Sequence, residues 1–413
     1  MNERRVVVTG MGVVTALGCS LDSFWNRLIS GYSGVRTITK FDVSSYPVKI
    51  AAEVIEFEID AFISRKEQRR MDQFCHYAVA SAKMAIKDSG LDMSAENPDK
   101  VGVIVTSGVG GLQTLEEQHI VLREKGPSRC SPFMIPQMII NMPSGLIAIE
   151  YNMKGPNYAV VSACASSAHA IGDALRLIQR GDADVMITGG AEAGICELSL
   201  AGFSSMRALS ARNDEPQKAS RPFDADRDGF VLGDGAACLV LEEYEHARRR
   251  GARIYSEIAG FGMSCDAFHI TAPSEDGSGA AKAMLNAMND ASVSPEDVGY
   301  INAHGTSTPL NDKVETKAIK LAMGQDRAKK VFISSSKSMT GHLLGAAGSL
   351  ESVVCSMVLY KGVVPPTINY EKPDPDCDLD YVPNCARNAD IKVCLNNSLG
   401  FGGHNACVVL RKI

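Results

Sequence analysis

Apolar and polar residues alternate along the chain with two different periods, and each period predicts a different element. Short apolar runs rich in β-branched residues predict strands. The predicted strands are Val6–Thr9, Val101–Thr106, Asn157–Ser162, Asp184–Thr188, Ala237–Glu242, Val298–Asn302 and Phe332–Ser335. Apolar residues at helical spacing predict helices that include Arg69–Ser89, Ala165–Gln179, Gly279–Ala291, Asp312–Ala322 and Ala346–Tyr360. Because strands and helices follow one another, the pattern indicates a layered α/β protein.

The C-terminal stretch departs from this alternation. Two candidate strands, Ile391–Asn396 and Asn405–Leu410, flank a glycine-rich segment. Two strands joined by a glycine turn predict a closing β-hairpin.

A faint internal repeat runs through the pattern. The matching segments are Pro98–Gly102 with Pro295–Gly299, Ser107-Gly108 with His304-Gly305, and the helix after Cys164 with the helix after Gly345. Matches in the same order suggest a duplicated α/β unit. We expect two halves, residues 1–250 and 251–413, packed into one body without a linker.

Composition narrows the class of protein. The chain has 413 residues, 45% of them hydrophobic and 22% charged, as in a globular protein with a large core. A net charge of −6 argues against a general binder of nucleic acid or membrane surfaces, although a local basic patch stays possible. The 12 cysteines include no C-x-x-C pair, so we expect reduced thiols and no zinc ribbon.

Targeting and cofactor signals are weak. The N-terminus has no signal-peptide pattern and no stretch is long enough to span a bilayer, so we expect a cytoplasmic protein, or one of an organellar stroma or matrix if the source is eukaryotic. Gly10-Met11-Gly12 follows the first predicted strand as in a dinucleotide-binding turn. Thr15 occupies the place of the third glycine, so we expect no nucleotide site there.

Cys164 is the first candidate for chemistry. It lies where an apolar run gives way to small residues and then to a helical pattern. The N-terminus of a helix favours a thiolate over a thiol, which would make Cys164 a nucleophile near neutral pH. The alternative is a small buried cysteine that packs like an alanine.

Three distant segments carry further candidates. His304 follows a predicted strand, and Lys337 and His342 lie in a small-residue segment after another. A buried Lys337 would need a partner, for which Glu351 is the nearest candidate, whereas a solvated loop lysine would need none. The segment Gly400-Phe401-Gly402-Gly403 either offers backbone amides to an oxyanion or forms a plain hairpin turn.

One cysteine and two histidines at strand ends fit covalent acyl transfer. A serine hydrolase would carry Gly-x-Ser-x-Gly, and a papain-like protease would carry its own cysteine signature. The chain has neither motif. Two histidines without a carboxylate base suit decarboxylation, because neutral imidazoles can hydrogen-bond a thioester carbonyl as negative charge develops on it.

With these motifs the chain resembles the β-ketoacyl-acyl-carrier-protein synthases, and among them the type II condensing enzymes of dissociated fatty-acid synthesis. The likeness covers essentially the whole length and includes the blocks Arg221–Asp224 and Gly229–Gly235. It implies a thiolase-type fold of two duplicated αβαβα halves, usually in a homodimer. It also implies acyl-carrier protein as partner and no cofactor or metal in the enzyme, because the substrates arrive on the carrier's phosphopantetheine arm.

The resemblance assigns roles to individual residues. Cys164 would accept the acyl chain, His304 and His342 would assist decarboxylation, and the amides of Cys164 and Phe401 would form the oxyanion hole, with the Phe401 ring as a gate. Lys337 would order the site electrostatically. The substrate-binding group would comprise Thr306 and Thr308 on the phosphopantetheine arm, Val109 and Phe203 in the acyl pocket, and Glu351 as the partner of Lys337.

A basic cluster is a candidate landing zone for the acidic carrier protein. Lys66, Arg69 and Arg70 form it, with Arg129 and Arg207 as possible additions. The alternative is an ordinary solvated helix face.

Some positions depart from the family pattern, and rival functions stay open. His404, Leu399, Asn311 and Val109 replace a threonine, a phenylalanine, a glycine and an isoleucine that are common there. The nearest rival is a polyketide-type ketosynthase with the same chemistry. A thiolase would carry a second catalytic cysteine near the C-terminal glycine loop, and a non-catalytic partner subunit would lack Cys164.

Overall fold

A mixed ten-stranded sheet runs through the computed structural model, which describes residues 4–413. The strands are β1 (Val6–Thr15), β2 (Arg36–Thr37), β3 (Ile50–Ala51), β4 (Val101–Thr106), β5 (Asn157–Tyr158), β6 (Val185–Glu192), β7 (Gly235–Glu243), β8 (Ser256–Cys265), β9 (Val298–Asn302), β10 (Phe332–Ser334), β11 (Val363–Val364), β12 (Arg387–Asn388), β13 (Val393–Gly400) and β14 (His404–Arg411). The order across the large sheet is β10-β9-β13-β14-β8-β1-β7-β6-β4-β5, while β2 pairs with β3 and β11 with β12.

The two halves of the chain repeat one strand order. The first half runs β1-β7-β6-β4-β5 and the second β8-β14-β13-β9-β10. In each, the first two pairings are antiparallel and the last two parallel. The halves join where Val6–Val8 of β1 pairs with β8. The predicted duplicated α/β fold is therefore confirmed, whereas the boundary at residues 250/251 stays a prediction.

Helices form three layers around the two parts of the sheet. The helices are α1 (Leu21–Ile29), α2 (Arg65–Gln68), α3 (Gln73–Ser89), α4 (Leu112–Lys125), α5 (Met134–Met138), α6 (Met142–Tyr151), α7 (Ser166–Arg180), α8 (Glu197–Ser205), α9 (Tyr244–Arg249), α10 (Ser278–Asp290), α11 (Pro309–Met323), α12 (Gln325–Ala328), α13 (Lys337–Thr340) and α14 (Ala347–Lys361). α7 and α14 contact each other and strands of both halves, so they form the central layer. α3 covers the outer face of the first half, and α10 covers that of the second.

Most strands of the large sheet are rich in apolar residues because both of their faces are buried. Alternate residues of β7 show this. Ala237, Leu239 and Leu241 pack in the central cluster with α7 and α14, and Ala236, Cys238 and Val240 pack in the outer cluster with α3. Successive side chains of a strand point to opposite faces, so one strand serves two cores.

Glycines in β1 and β8 let an outer helix approach the sheet closely. An added Cβ would lie 2.2 Å from a backbone oxygen of α3 at Gly10 and 2.1 Å at Gly12. In β8, an added Cβ at Gly262 would lie 2.2 Å from a backbone nitrogen of α10. The Gly-x-Gly motif therefore serves helix packing, and β1 continues through it to Thr15 rather than ending at Thr9.

Other predicted bounds differ from the structure at their ends. The strand predicted at Asn157–Ser162 is reduced to β5, an edge strand whose two residues are exposed. The helix predicted from Arg69 starts at Gln73, because the side chain of Asp72 accepts a hydrogen bond from the Phe74 amide and caps it. The closing hairpin is confirmed as β13 and β14. None of the helices in residues 4–413 combines the length and apolar character required to cross a membrane.

Candidate active site

A cavity of about 440 Å³ lies between the two halves and gathers most of the predicted site residues. Those that line it are Cys164, His304, His342, Phe401, Thr306, Thr308, Val109, Phe203 and Arg207. Apolar side chains from both halves make up most of the remaining wall, among them Phe230, Leu310 and Leu344. The cavity thus combines an apolar space with a small group of polar side chains, which is typical of a binding site for small molecules.

Cys164 lies in a tight turn immediately before α7. Residues Ala163–Ala165 form a 3-10 turn, and Ala163 has a positive φ of 51°. The end of β13 packs against this turn, since an added Cβ at Gly400 would lie 2.5 Å from the carbonyl oxygen of Ser162. The backbone amides of Cys164 and Phe401 both act on the Cys164 thiol and lower its pKa, against the larger effect of burial. Amides that converge on a reacting group can stabilise an oxyanion.

The surroundings of the Cys164 thiol differ from those that the sequence suggests. The pKa of the Cys164 thiol is raised to about 12, chiefly by burial, while the charge of Lys337 opposes the rise and that of Glu192 adds to it. Burial therefore opposes the thiolate that the helix start favours, and the nucleophilic role of Cys164 stays a prediction. Desolvation disfavours the charged form more strongly than the helix end and the amides favour it.

His304 and His342 approach each other across the cavity wall. Their ring centroids are 5.3 Å apart and their planes nearly perpendicular, at 85°. Glu315 holds the loop that follows β9 and carries His304. Its carboxylate accepts hydrogen bonds from the backbone amides of His304 and Gly305, at 2.8 Å each. His342 is fixed through its own amide, which donates to the Val231 carbonyl at 2.8 Å.

Both imidazoles are neutral in this environment. Burial lowers the pKa of His304 and of His342 well below 6.5, and the nearby charge of Lys337 lowers both further. Neutral imidazoles can donate an N–H to a developing oxyanion without carrying a charge of their own. The pair is therefore suited to stabilise an enolate rather than to act as cations.

Lys337 is buried and forms an ion pair with Glu351, the partner suggested by the sequence. Burial raises the pKa of Glu351 to about 7, against the lowering effect of Lys337. Neither residue lines the cavity. Placing Glu351 in the substrate-binding group is thus not supported by the geometry, because α14 holds its carboxylate behind the cavity wall, against Lys337.

The loop after His304 presents two hydroxyls to the cavity. The Oγ1 atoms of Thr306 and Thr308 are 3.0 Å apart. The Arg227 guanidinium holds this loop. It donates hydrogen bonds to the carbonyl oxygen of Thr308 at 3.1 Å and to that of Pro309 at 3.0 Å.

The five basic residues predicted to bind the carrier protein differ in their position relative to the cavity. All five candidates for carrier docking are exposed. Arg207 lines the cavity, whereas Lys66, Arg69, Arg70 and Arg129 do not.

The departures from the family pattern lie close to the cavity. Leu399, Asn311 and Val109 line it. His404 begins β14, and its ring lies over the glycine loop, because an added Cβ at Gly402 would be 2.9 Å from its Nε2.

Sequence reasoning missed the buried groups that hold the loops. Glu192, Glu315 and Arg227 each bond backbone atoms of a cavity loop, and Phe230 packs edge-on to His342 with centroids 5.5 Å apart. The one signal in the sequence is a charged residue, Glu192, at the end of an otherwise apolar strand.

Comparison with known proteins finds one family that matches both halves of the chain. The family described as beta-ketoacyl synthase, N-terminal domain, matches residues 3–247, and its C-terminal domain matches residues 255–371. A Synechocystis protein named 3-oxoacyl-[acyl-carrier-protein] synthase 2 is 53% identical over 100% of this chain and 99% of its own length. A Vibrio harveyi protein of the same name is 50% identical over 100% of both chains.

Solved structures show the same fold. A type II polyketide ketosynthase, solved with its acyl-carrier protein and a bound hexaketide, superimposes with a TM-score of 0.91 at 36% identity over 100% of both chains. Two family models cover most of the chain, and relatives at 50–53% identity match it over its full length. The chain belongs to the β-ketoacyl synthase family.

Proposed function

We propose that the protein is a 3-oxoacyl-[acyl-carrier-protein] synthase of fatty-acid elongation. The observation that carries the proposal is that one apolar cavity is lined by a thiol, Cys164, and by two neutral imidazoles, His304 and His342. A thiol can hold an acyl chain as a thioester, and the imidazoles can stabilise the enolate that attacks it.

The reaction has two stages. In the first, the Cys164 sulfur bonds to the acyl carbonyl carbon, the carrier's C–S bond breaks, and the thiol proton passes to the carrier sulfur. In the second, malonyl-carrier protein loses carbon dioxide, and the electron pair of the broken bond forms an enolate hydrogen-bonded by His304 and His342. The enolate carbon attacks the acyl group, and the Cys164 sulfur leaves and takes up a proton. The products are 3-oxoacyl-carrier protein, carbon dioxide and the free thiol.

The other residues around the cavity support these stages. The amides of Cys164 and Phe401 stabilise the oxyanion on the acyl carbon, and the Phe401 ring acts as a gate. Burial keeps both imidazoles neutral, and the charge of Lys337 adds to this effect. Thr306 and Thr308 bind the phosphopantetheine arm, which carries the substrates, so that the enzyme needs no cofactor or metal of its own.

Fatty-acid elongation is favoured over polyketide synthesis by the degree of likeness. The relatives named 3-oxoacyl-[acyl-carrier-protein] synthase 2 reach 53% identity, compared with 36% for the polyketide ketosynthase.

The enzyme works in the cytoplasm with acyl-carrier protein, which docks on Lys66, Arg69, Arg70 and Arg129 beside Arg207 at the cavity. The exposure of all five side chains supports this surface. If so, charge reversal of Lys66, Arg69 and Arg70 slows turnover with carrier-bound substrate in a salt-dependent way. Reversal of the exposed Lys329 and Lys330 is the matched control, and equal effects of the two sets would exclude the surface.

The enzyme is a homodimer that pairs through β5. This strand is the outer edge of the large sheet, and Ile149 and Val161 near it are 79% and 52% exposed. An unpaired edge with apolar neighbours favours addition of a second sheet. Light scattering of Ile149→Lys should show monomer where the wild type shows dimer, and a monomeric wild type would refute the assembly.

The central experiment is incubation with acyl-carrier protein, followed by intact-mass measurement and peptide mapping. We expect an acyl adduct confined to Cys164. No adduct, or an adduct on another cysteine, would refute the proposed function.

A further inference from the structure

Glu192 has a buried carboxylate that connects the two halves beside the cavity. It ends β6 and is fully buried. Oε1 accepts the Ser107 hydroxyl at 2.5 Å and the Val109 amide at 3.2 Å. Oε2 accepts the Gly108 amide at 2.7 Å and the Gly345 amide at 2.9 Å. One carboxylate therefore binds a loop of the first half and a loop of the second.

The donor set favours an ionised Glu192, although burial raises the pKa of its carboxyl. Each carboxylate oxygen accepts two hydrogen bonds, and all of the donors are backbone amides or a hydroxyl. A protonated acid would have to donate one hydrogen bond, and of these four partners only the Ser107 hydroxyl can accept it. The site thus holds a negative charge stabilised by neutral dipoles.

The two loops have no space to adjust independently. An added Cβ at Gly345 would lie 2.1 Å from the Gly108 amide nitrogen, and one at Gly108 would lie 2.9 Å from Glu192 Oε2. Residues next to these contacts, Val109 and Leu344, line the cavity that Cys164 faces. A shift of the carboxylate would therefore displace the acyl-chain wall on both loops.

We propose that Glu192 is a positioning residue that sets the shape of the acyl pocket by holding residues 107–110 against residues 344–345. Its carboxylate accepts the amide of Gly108, which lines the same cavity as Cys164, so its negative charge also acts on the Cys164 thiol. The loss of Glu192 therefore has two consequences of opposite sign. The thiol becomes more reactive, whereas a long acyl chain fits less well. The inference on chain length rests on the proposed function, and the inference on the thiol does not.

The test uses Glu192→Gln in the full-length protein. The amide keeps the size of the side chain but turns one acceptor oxygen into a donor that faces other donors. We expect Cys164 to react with iodoacetamide about 10-fold faster at pH 8, because a nearby negative charge that raises the thiol pKa is gone. We also expect acyl transfer from a long-chain acyl-carrier protein to slow about 10-fold, with a smaller effect on a four-carbon chain.

Two control variants separate positioning from stability. Glu257→Gln removes an equally buried charge on β8 that pairs with Arg5 and Arg411, far from the cavity loops. We expect it to lower the melting temperature and leave both readouts unchanged. Ser107→Ala removes one donor and keeps the charge. We therefore expect the alkylation rate to equal that of wild type, and the ratio of the acyl-transfer rates for the long and the four-carbon chain (the chain-length ratio) to change.

Each outcome decides the inference. Alkylation and acyl-transfer rates of Glu192→Gln equal to those of wild type, or equal slowing of acyl transfer with the long chain and the four-carbon chain, overturn it. If Glu192→Gln does not fold, Ser107→Ala decides, and an unchanged chain-length ratio overturns the positioning role. If wild type forms no acyl thioester but alkylation still accelerates in Glu192→Gln, the proposed function fails while the action of Glu192 on Cys164 stands.

Discussion

The turns that begin the two central helices have the same backbone and different side chains. Ala163–Ala165 leads into α7, and Leu344–Ala346 leads into α14. The first residue of each turn has a positive φ, 51° at Ala163 and 46° at Leu344. The middle residue is Cys164 in one half and Gly345 in the other. Duplication therefore kept the backbone, and the chemistry depends on which side chain the turn carries.

The loops after the equivalent parallel strands show the complementary difference. The loop after β4 carries Ser107, and the loop after β9 carries His304. In both halves a buried carboxylate accepts the amide of the following glycine, at 2.7 Å from Glu192 and 2.8 Å from Glu315. Under the proposed function, one half supplies the nucleophile Cys164 and the other supplies the two histidines, on the same loop support.

The largest effect should come from removing the nucleophile. Cys164→Ala leaves the turn without a thiol, and we expect acyl transfer to fall by on the order of 10⁴-fold or more, as for loss of other covalent nucleophiles. Intact-mass measurement should show no acyl adduct. The alanine fits the small-residue turn, so the melting temperature should stay near that of wild type. An acyl adduct that persisted in Cys164→Ala would show that another residue is the nucleophile.

The next effect should come from the histidines of the other half. His304→Ala and His342→Ala should each slow decarboxylation of malonyl-carrier protein by about 10²–10³-fold, the usual cost of losing one oxyanion donor. Acyl transfer to Cys164 should fall much less, because those residues act in the second stage. Carbon dioxide release and adduct formation, measured separately, check this division. Equal losses in both stages would contradict it.

A smaller effect should follow from adding one methyl group to the turn without a nucleophile. Gly345→Ala forces a Cβ against the Gly108 amide and should cost about 1–3 kcal/mol of unfolding free energy, the usual range for overpacking. Gly202→Ala in α8 is the control, since its Cβ would meet nothing within 4 Å. It should be neutral or stabilising. Denaturant unfolding measures both, and similar values would show that the Gly345 turn tolerates the added methyl group.

The smallest effect should be on the pH dependence of stability, to which histidines of the two halves contribute with opposite sign. Hydrogen bonding to Glu242 raises the pKa of His246 above 6.5, so this histidine stabilises the fold below pH 6.5 and ceases to do so as the pH rises through its raised pKa. His304 and His342, with lowered pKa values, instead destabilise the fold as the pH falls below 6.5.

His246→Gln isolates the response of the first half. It should lose about 1 kcal/mol of unfolding free energy at pH 6, the scale of a charged hydrogen bond at a partly screened site, and almost nothing at pH 9. Thermal unfolding across this range measures the difference. A loss that is the same at both pH values would show that the charge on His246 does not stabilise the fold.

The sequence predicted the features that depend on local pattern. Cys164 and His304 could be found because each follows an apolar run, and His342 because it lies in a segment of small residues. β8 was not predicted, because Gly260 and Gly262 interrupt its apolar pattern. Those glycines exist for close packing on α10, a contact with a distant segment.

Features that depend on long-range burial were beyond the sequence. The raised pKa of Cys164 arises from desolvation by the assembled halves, which outweighs the helix start visible in the sequence. The role of Glu192 likewise requires Gly108 and Gly345, distant in sequence, to meet at one carboxylate.

The contact between Gly345 and Gly108 also bears on how such a duplicated protein can evolve. A cysteine at position 345 would repeat the nucleophilic turn in the second half, but its Cβ would strike the backbone of the opposite loop. A second nucleophile would therefore require the Gly108 loop to be rebuilt first, a change with no benefit by itself. A single substitution at position 345 therefore does not create a second reactive thiol in this turn, and the equivalent turns of the two halves stay different.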